Sequence, residues 1–244
     1  IKPSELPSKN AGDHSYQCPA TVVADRPDQK EEGEGESNVV DNLSQYLDFS
    51  LQDIQLISAY FVPGAEGVAA LKAAQMRGVT VRVLTNSLAS TDVPAVHGGY
   101  SRYRKALLQN GVQLWEMKPE ATPKERHHFS LRKSSQASLH TKAYVFDRRF
   151  LFIGSFNLDP RSAVLNTEMG LLLDCPAMAA DFLTELDVLL PDMAWQIKLS
   201  PQGALEWWDH EDERQQRYIQ EPQASFWRRS KVWWIMKLPI EGNL

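Results

Sequence analysis

Apolar and polar residues follow one another along the chain in patterns that predict alternating helices and strands. Helical spacing marks "NVVDNLSQYLDFSL", "EGVAALKAAQMRG" and "YSRYRKALLQNG". Short apolar runs predict strands in "DIQLISAYF", "VTVRVLTN" and "VQLWEM", and Pro63-Gly64 closes the first of them. Strands that alternate with helices favour right-handed crossovers and parallel pairing, because each helix carries the chain back across the sheet.

The pattern changes in the second half of the chain. Two strands lie within "SLHTKAYVFDRRFLFIGSFNLD", a third is "TEMGLLLD", and the helix "MAADFLTELDVLL" follows. Together with the upstream elements, these predict an α/β fold with a mixed, largely parallel sheet flanked by helices.

The composition predicts three regions. Residues 1–37 are polar and rich in Pro, Gly and Glu, which is typical of an acidic linker or inter-domain connector. Residues 38–200 predict one α/β domain, and residues 201–244 hold five of the seven tryptophans. We expect this C-terminal extension to pack on the domain or to continue it. Because the chain begins at Ile1 without the layout of a signal peptide, we expect a fragment of a longer protein.

Charge and cysteine content restrict the function only weakly. The net charge is −5, and the segment from Asp25 to Asp41 carries the whole excess, so the remainder neither requires nor excludes an anionic substrate. Cys18 and Cys175 are too few for a disulfide framework and lack metal-ligand spacing, which favours a reducing compartment. No apolar run is long enough to cross a bilayer, so any membrane contact is expected to be peripheral.

Polar residues at fixed intervals interrupt the two apolar strands, in the pattern His140-x-Lys142-x4-Asp147-x6-Gly154-Ser155-x-Asn157. Alternate residues of a strand share a face, so His140 and Lys142 project together, and a returning strand can bring Ser155 and Asn157 to the same edge. A histidine that attacks or protonates, beside a lysine and neutral donors, suits a phosphodiester. No residues cluster as metal ligands, so we expect no metal and no cofactor.

These residues carry a family resemblance. "HTKAYVFDRRFLFIGSFN" resembles the HKD motif of the phospholipase D superfamily and the Gly-Ser-x-Asn that follows it. The likeness extends through "LDPRSAVLNTEMG" and, upstream, "SAYFVPG" and "RGVTVRVLTNSLASTDVPAVHGGYSRYRKALLQNGV". It spans about residues 39–244 and is greatest to the C-terminal half of bacterial C-type cardiolipin synthases. The resemblance implies a phospholipase D-like α/β sandwich.

The resemblance also implies a mechanism. In this family two HKD motifs face each other, one histidine attacks phosphorus to form a phosphohistidine, and the other protonates the leaving alcohol. By this likeness His140 is catalytic and is expected to be the general acid, and Glu168 orients it. Lys142, Ser155 and Asn157 are expected to bind the phosphoryl group, and Asp147 to support the motif or to handle protons. The implied reaction is phosphatidyl transfer from a phosphatidylglycerol-like phospholipid in cardiolipin synthesis.

Only one HKD motif is present. The remaining histidines lack a lysine two positions later; they are His14, His97, His127, His128 and His210. The second motif is expected either from sequence upstream of Ile1, which the linker composition favours, or from a second copy of the chain. Two other functions stay open: a homodimeric HKD nuclease, which would want an electropositive groove, and a catalytically idle half that recruits the protein to membranes. The balanced charge does not favour nucleic acid.

Three further features have both a functional and a structural interpretation. The tail "SFWRRSKVWWIMKLP" mixes tryptophans with basic residues, so it either docks on an anionic membrane or folds its tryptophans onto the domain. The first alternative predicts a bacterial cytoplasmic protein, peripheral to the inner membrane. Tyr60 and Phe61 end a strand where they could line a pocket. A basic loop either gathers phosphate groups or is simply solvated, and its charged residues are Lys124, Arg126, His127, His128, Arg132 and Lys133.

Overall fold

The computed structural model describes residues 15–26, 37–119, 138–210 and 215–236. In these residues ten strands form one sheet with helices on its faces. The strands are β1 (Ala20–Ala24), β2 (Asp53–Ser58), β3 (Thr80–Asn86), β4 (Gln113–Met117), β5 (Lys142–Phe146), β6 (Phe150–Gly154), β7 (Met169–Asp174), β8 (Ala194–Leu199), β9 (Leu205–Asp209) and β10 (Gln216–Tyr218). The helices are α1 (Asn38–Phe49), α2 (Gly64–Met76), α3 (Pro94–Ser101), α4 (Arg104–Gln109), α5 (Pro160–Val164), α6 (Pro176–Met193) and α7 (Phe226–Ile235).

The sheet is mixed, and its order is β1-β7-β6-β5-β2-β3-β4-β8-β9-β10. The predicted α/β class with a mixed sheet is confirmed, but its parallel part is smaller than predicted. Within the described residues, β2–β3 and β3–β4 are the parallel pairs, because α2 and the α3–α4 segment are the crossover connections between neighbouring strands. Every other strand pair in the stated order is antiparallel.

The central strands alternate their side chains between two cores. Leu56 and Tyr144 pack into the core beneath α1 and α2. Ile57 and Val145, one position along, pack on the opposite face with Leu186 of α6. This period of two is what a strand buried on both faces requires. It fixes the register of β2 and β5, because a shift by one residue would exchange the two faces.

The segment predicted to be a linker contains a strand. Residues 20–24 form β1, which pairs antiparallel with β7 at one edge of the sheet. The linker prediction is therefore wrong for this part of residues 1–37, since the β-branched run "ATVVA" finds an open strand edge to pair with. Residues 1–14 and 27–36 lie outside the described residues.

Cys18 and Cys175 are joined by a disulfide, with their Cα atoms 5.3 Å apart. The pairing of β1 with β7 brings them together. The N–H of Asp174, next to Cys175, donates to the carbonyl of Pro19, next to Cys18, at 3.0 Å. The prediction of a reducing compartment assumed that the two cysteines are unpaired. The disulfide shows that this assumption is wrong. A sequence separation of 157 residues conceals the pairing until the sheet is known.

The C-terminal residues continue the sheet and cover one of its ends. β9 and β10 extend it beyond β8, and α7 packs against α3. Gly98 of α3 permits this contact, since a Cβ there would stand 2.8 Å from Cγ2 of Ile235. None of the described helices combines the length and the apolar character that a bilayer span needs.

A buried ion-pair network ties this extension to the domain. The guanidinium of Arg104 lies 2.9 Å from Glu116 and donates to Glu221 at 2.6 Å. Trp207 of β9 donates to the other oxygen of Glu116 at 2.9 Å, and His97 also contacts Glu221. Burial raises the pKa of the Glu221 carboxyl, but Arg104 and His97 outweigh it and lower that pKa to about 2. The network therefore stabilises the ionised carboxylate.

Replacing Glu221 with Gln should lower the free energy of unfolding at neutral pH by about 2–3 kcal/mol, because a buried charge-assisted hydrogen bond is lost. The folded-state pKa lies below the ordinary value of 4.5, so this contribution is complete above pH 4.5 and disappears as the pH falls towards 2. Urea unfolding at several pH values measures the difference. Asp174→Asn, which removes an exposed partner of Arg149, is the control and should change stability far less. A Glu221→Gln deficit that does not shrink in acid would contradict the account.

Candidate active site

His140 and Lys142 lie where β5 begins. Lys142 is the first residue of the strand and is only 8% exposed, whereas His140, two positions earlier, is exposed. The ammonium of Lys142 donates to the backbone carbonyl of His140 at 2.9 Å. The lysine side chain thus folds back along the chain and contacts the main chain of His140. That the two side chains project together stays a prediction.

Asn86, at the end of β3, holds the residue that precedes His140. Its Nδ2 donates to the carbonyl of Leu139 and to that of Ala59, both at 3.0 Å. Its Oδ1 accepts the N–H of Leu139 at 2.8 Å. One buried amide thus satisfies both backbone groups of Leu139 and determines how the chain enters the site. The sequence analysis did not identify Asn86, because its partners are 27 and 53 residues away.

Gly154 and Ser155 lie beside the start of β5. Ala143 pairs with Ile153, so the end of β6 runs next to the beginning of β5. A side chain at Gly154 would stand 2.4 Å from the carbonyl oxygen of Met169, which explains why a glycine is needed there. The hydroxyl of Ser155 donates to the carboxylate of Glu168 in a short hydrogen bond and accepts the N–H of Met169 at 3.1 Å.

Asn157 is held in one orientation by the chain that follows β2. Its Oδ1 accepts the N–H of Tyr60 at 3.2 Å. Among the residues that the structure describes, no hydrogen bond engages Nδ2, which can therefore donate to a ligand. Ser58, which pairs with Lys142 across the sheet, accepts the N–H of Leu158 at 3.1 Å. Lys142 and Asn157 are therefore both positioned by residues 58–60.

Tyr60 and Asp92 are hydrogen-bonded to each other beside Asn157. The phenol of Tyr60 donates to both oxygens of Asp92 at 3.0 Å. Burial and this hydrogen bond raise the pKa of Tyr60 to about 12, so the hydroxyl keeps its proton at neutral pH. Tyr60 was predicted to line a pocket from its place at a strand end. Phe61, by contrast, is buried in the core beneath α1 and α2.

Glu168 is buried close to the site, but its hydrogen bonds go elsewhere than predicted. Within the described residues its carboxylate accepts from Ser155 and from Asn166. Desolvation lowers the pKa of Lys142, and the charge of Glu168 partly opposes that shift. That Glu168 orients His140 stays a prediction.

Asp25 supports Glu168 from the other side. Its carboxylate accepts the N–H of Glu168 at 3.1 Å, and its own N–H donates to the Glu168 carbonyl at 2.9 Å. The same carboxylate accepts from Ser37 and from Val39 at the start of α1. Asp25, which the sequence analysis counted within the solvated linker, is therefore a buried connection between β1, α1 and the site.

Asp147 does not join this group. It lies five positions after Lys142, just beyond the end of β5, and five positions correspond to about 17 Å in a strand. Its carboxylate accepts the N–H groups of Leu51, Gln52 and Asp53 at 2.8–3.3 Å, at the opposite end of the sheet. The position of Asp147 therefore contradicts a catalytic role. Of the two roles expected for it, structural support fits this position.

The basic loop that includes Arg126 and Arg132 lies outside the described residues.

Burial of the Lys142 ammonium shifts its pKa. Desolvation lowers the pKa of its ammonium below 10.5, although the charges of Glu168, Asp159 and Asp92 oppose that shift. A desolvated ammonium favours a nearby tetrahedral oxyanion, because the anion's oxygens accept the hydrogen bonds that water would otherwise accept. The exposed imidazole of His140 has the chemistry to attack or to protonate such a group.

Tungstate binding should therefore depend on Lys142 and weaken in alkali. Lys142→Met removes a charge-assisted hydrogen bond and should weaken binding about tenfold to hundredfold. Because the pKa is lowered, the wild-type affinity should fall at a lower pH than a solvated lysine would give. Isothermal titration calorimetry across this pH range measures both effects. Lys72→Met, an exposed lysine of α2, is the matched control, and equal losses in the two variants would disprove a site at Lys142.

Comparison with known proteins agrees with this geometry. The family described as "Cardiolipin synthase, PLD-like domain" matches residues 43–190. Cardiolipin synthase C of Escherichia coli (strain K12) is 42% identical over 192 residues, which are 78% of this chain and 41% of that protein. The chain thus spans less than half the length of that relative.

Two solved structures share the fold. Nuc from Salmonella typhimurium, a phospholipase D family member, has a TM-score of 0.52 at 18% identity, over 72% of this chain and 97% of its own. Phosphatidylserine synthase of Haemophilus influenzae has a TM-score of 0.51 at 13% identity, over 71% of this chain and 39% of its own. Since the family match covers more than half of the sequence, the chain belongs to the PLD-like domain family of the cardiolipin synthases, within the phospholipase D superfamily.

Proposed function

We propose that this chain supplies one half-site of a phosphodiester-transfer enzyme that moves a phosphatidyl group from one phospholipid to the alcohol of another, as in cardiolipin synthesis. The observation that carries the proposal is the group at the start of β5: His140 exposed, Lys142 desolvated behind it, and Asn157 fixed with its amide nitrogen available. The 42% identity to cardiolipin synthase C supports a phospholipid as the substrate.

The chemistry needs two histidines. In the proposed reaction the nucleophilic imidazole attacks phosphorus and forms a P–N bond while the P–O bond to the leaving alcohol breaks, and the second imidazolium gives that alcohol its proton. The acceptor alcohol then attacks the phosphohistidine, gives its proton to the second imidazole and releases the first. We assign His140 the acid and base role. Lys142 and Asn157 stabilise the phosphoryl oxygens, and Ser155 joins them or holds Glu168 in place.

The second half-site comes from another part of the protein or from a second copy of the chain. The match to only 41% of cardiolipin synthase C supports the first source. The proposal includes a membrane as the place of action. The sequence predicts its cytoplasmic side, whereas a Cys18–Cys175 disulfide fits an oxidising compartment, so the redox state of these thiols in cells decides between the two.

The activity is tested with labelled phosphatidylglycerol and the protein assembled with both half-sites. We expect transfer to a lipid alcohol that continues in the presence of a chelator, because the cation at phosphorus is Lys142. His140→Ala should reduce turnover by at least about a thousandfold. His210→Ala, which changes a histidine of the sheet extension, is the control. Cleavage of an oligonucleotide instead of lipid would support the nuclease alternative, and no turnover of either substrate would support an idle half.

Asn86 should act as a positioning residue for His140. Asn86→Ala frees the backbone of Leu139, so we expect kcat to fall about tenfold to hundredfold while KM changes little, since small displacements of a reacting group have large effects on rate. Asn42→Ala, whose amide bonds within α1, is the matched control. If the two variants lose equal thermal stability but only Asn86→Ala loses kcat, the effect of Asn86 is on the position of His140 and not on folding. An unchanged kcat in Asn86→Ala would remove Asn86 from the account.

A further inference from the structure

The Trp-rich tail has two different surfaces. Trp207 is 4% exposed and donates into the buried ion-pair network, as expected of a tryptophan folded onto the domain. On α7 the opposite holds, because four aromatic side chains there are 54–80% exposed: Phe226, Trp227, Trp233 and Trp234. Large aromatic side chains are normally buried, so a group of them on one short helix requires an explanation.

These four residues share one face of α7. Residues 226 and 233, and likewise 227 and 234, are seven positions apart and so lie above each other on a helix. We refer to them as the aromatic face. The rings of Phe226 and Trp227 are in edge contact, as are those of Trp233 and Trp234, so the face presents two aromatic pairs.

The opposite side of α7 is fixed to the domain. Val232 is buried with Leu88, and Arg229 donates to the carbonyl of Ala224 at 2.8 Å. Arg228 donates to the carbonyl of Thr91. The arginines that the sequence analysis expected to contact lipid therefore point into the domain and hold the helix in place. Their acceptors are neutral carbonyls, so their positive charge is retained.

The contact at Thr91 connects α7 to the candidate active site. Thr91 precedes Asp92, which binds the phenol of Tyr60, and the backbone of Tyr60 orients Asn157. The aromatic face thus belongs to a helix whose inner side contacts the loop that forms one wall of the site.

We propose that the aromatic face of α7 docks on a membrane that contains anionic phospholipid. Indole rings prefer the boundary between lipid headgroups and acyl chains. The helix sequence "FWRRSKVWWI" holds three basic residues and no acidic one, although the whole chain has a net charge of −5. Arg228 and Arg229 face the domain and attract an anionic layer only at a distance, so Lys231 is the residue that complements the headgroups directly. Lys231 is exposed beside the aromatic face and adds a headgroup contact. Docking itself does not depend on the proposed function; only its effect on turnover does.

Vesicle co-sedimentation of the full protein tests the proposal. We expect binding to phosphatidylcholine vesicles that contain phosphatidylglycerol and weaker binding to phosphatidylcholine alone. Trp227→Ser with Trp234→Ser should reduce the bound fraction at least about tenfold, because two large apolar side chains leave the interface. Phe49→Ser, which removes an equally exposed aromatic residue from α1, is the matched control. Lys231→Glu should weaken binding only to the anionic vesicles, with Lys72→Glu as its control.

The outcomes separate docking from catalysis. Lys142→Met should still bind vesicles, which excludes capture of phosphatidylglycerol in the active site as the cause. The double Trp variant should lose turnover of vesicle lipid but keep turnover of a short-chain, water-soluble phosphodiester. If the double Trp variant loses vesicle binding but the wild type shows no lipid turnover, docking is supported and the proposed function is rejected. Unchanged vesicle binding in the double variant, or a change in its oligomeric mass instead, would overturn the proposal and indicate a protein partner.

Discussion

The pairing of β5 with its two neighbours is the constraint on which the candidate active site depends. On one side Ser58 of β2 pairs with Lys142, and on the other the end of β6 runs beside the start of β5. This arrangement brings residues 58–60, 140–142 and 154–157 together at one end of these central strands. Because the strands are packed between two cores, their register cannot shift without exposing apolar side chains. Packing of the core therefore determines the positions of the site residues at the strand ends.

A buried cation is the consequence of that arrangement. Lys142 loses hydration at the strand end, and surrounding carboxylates compensate only in part. In the proposed reaction the phosphoryl oxygens complete the compensation. Asn86 bonds to the backbone of Leu139, and Asp25 bonds to the backbone of Glu168. The backbone N–H of Tyr60 donates to the side-chain amide of Asn157, so main-chain groups take part in each of these supports. Such support restricts the position of His140 while leaving its imidazole exposed.

The sequence predicts the local part of this structure well. Alternation along a strand predicts that His140 and Lys142 share a face, and the predicted returning strand is β6, which pairs antiparallel with β5 and ends just before Ser155. The same reasoning, carried five residues further, puts Asp147 at the other end of β5, which the motif resemblance obscured. Asn86, Asp25 and the Cys18–Cys175 pair are not predictable in this way, because their partners lie 53, 143 and 157 residues away. Helical spacing separates the aromatic residues of α7 from Arg228 and Arg229, but which side faces the domain depends on packing against α3.

The most direct test of the account is to locate a bound tetrahedral oxyanion in crystals of the protein. Tungstate can be located by its anomalous scattering, independently of any assumption about the site. The account predicts one ion within hydrogen-bonding distance of the Lys142 ammonium and the Asn157 amide nitrogen, with the imidazole of His140 facing the metal–oxygen group. An ion found only elsewhere, with the His140 ring turned away from Lys142 and Asn157, would contradict it.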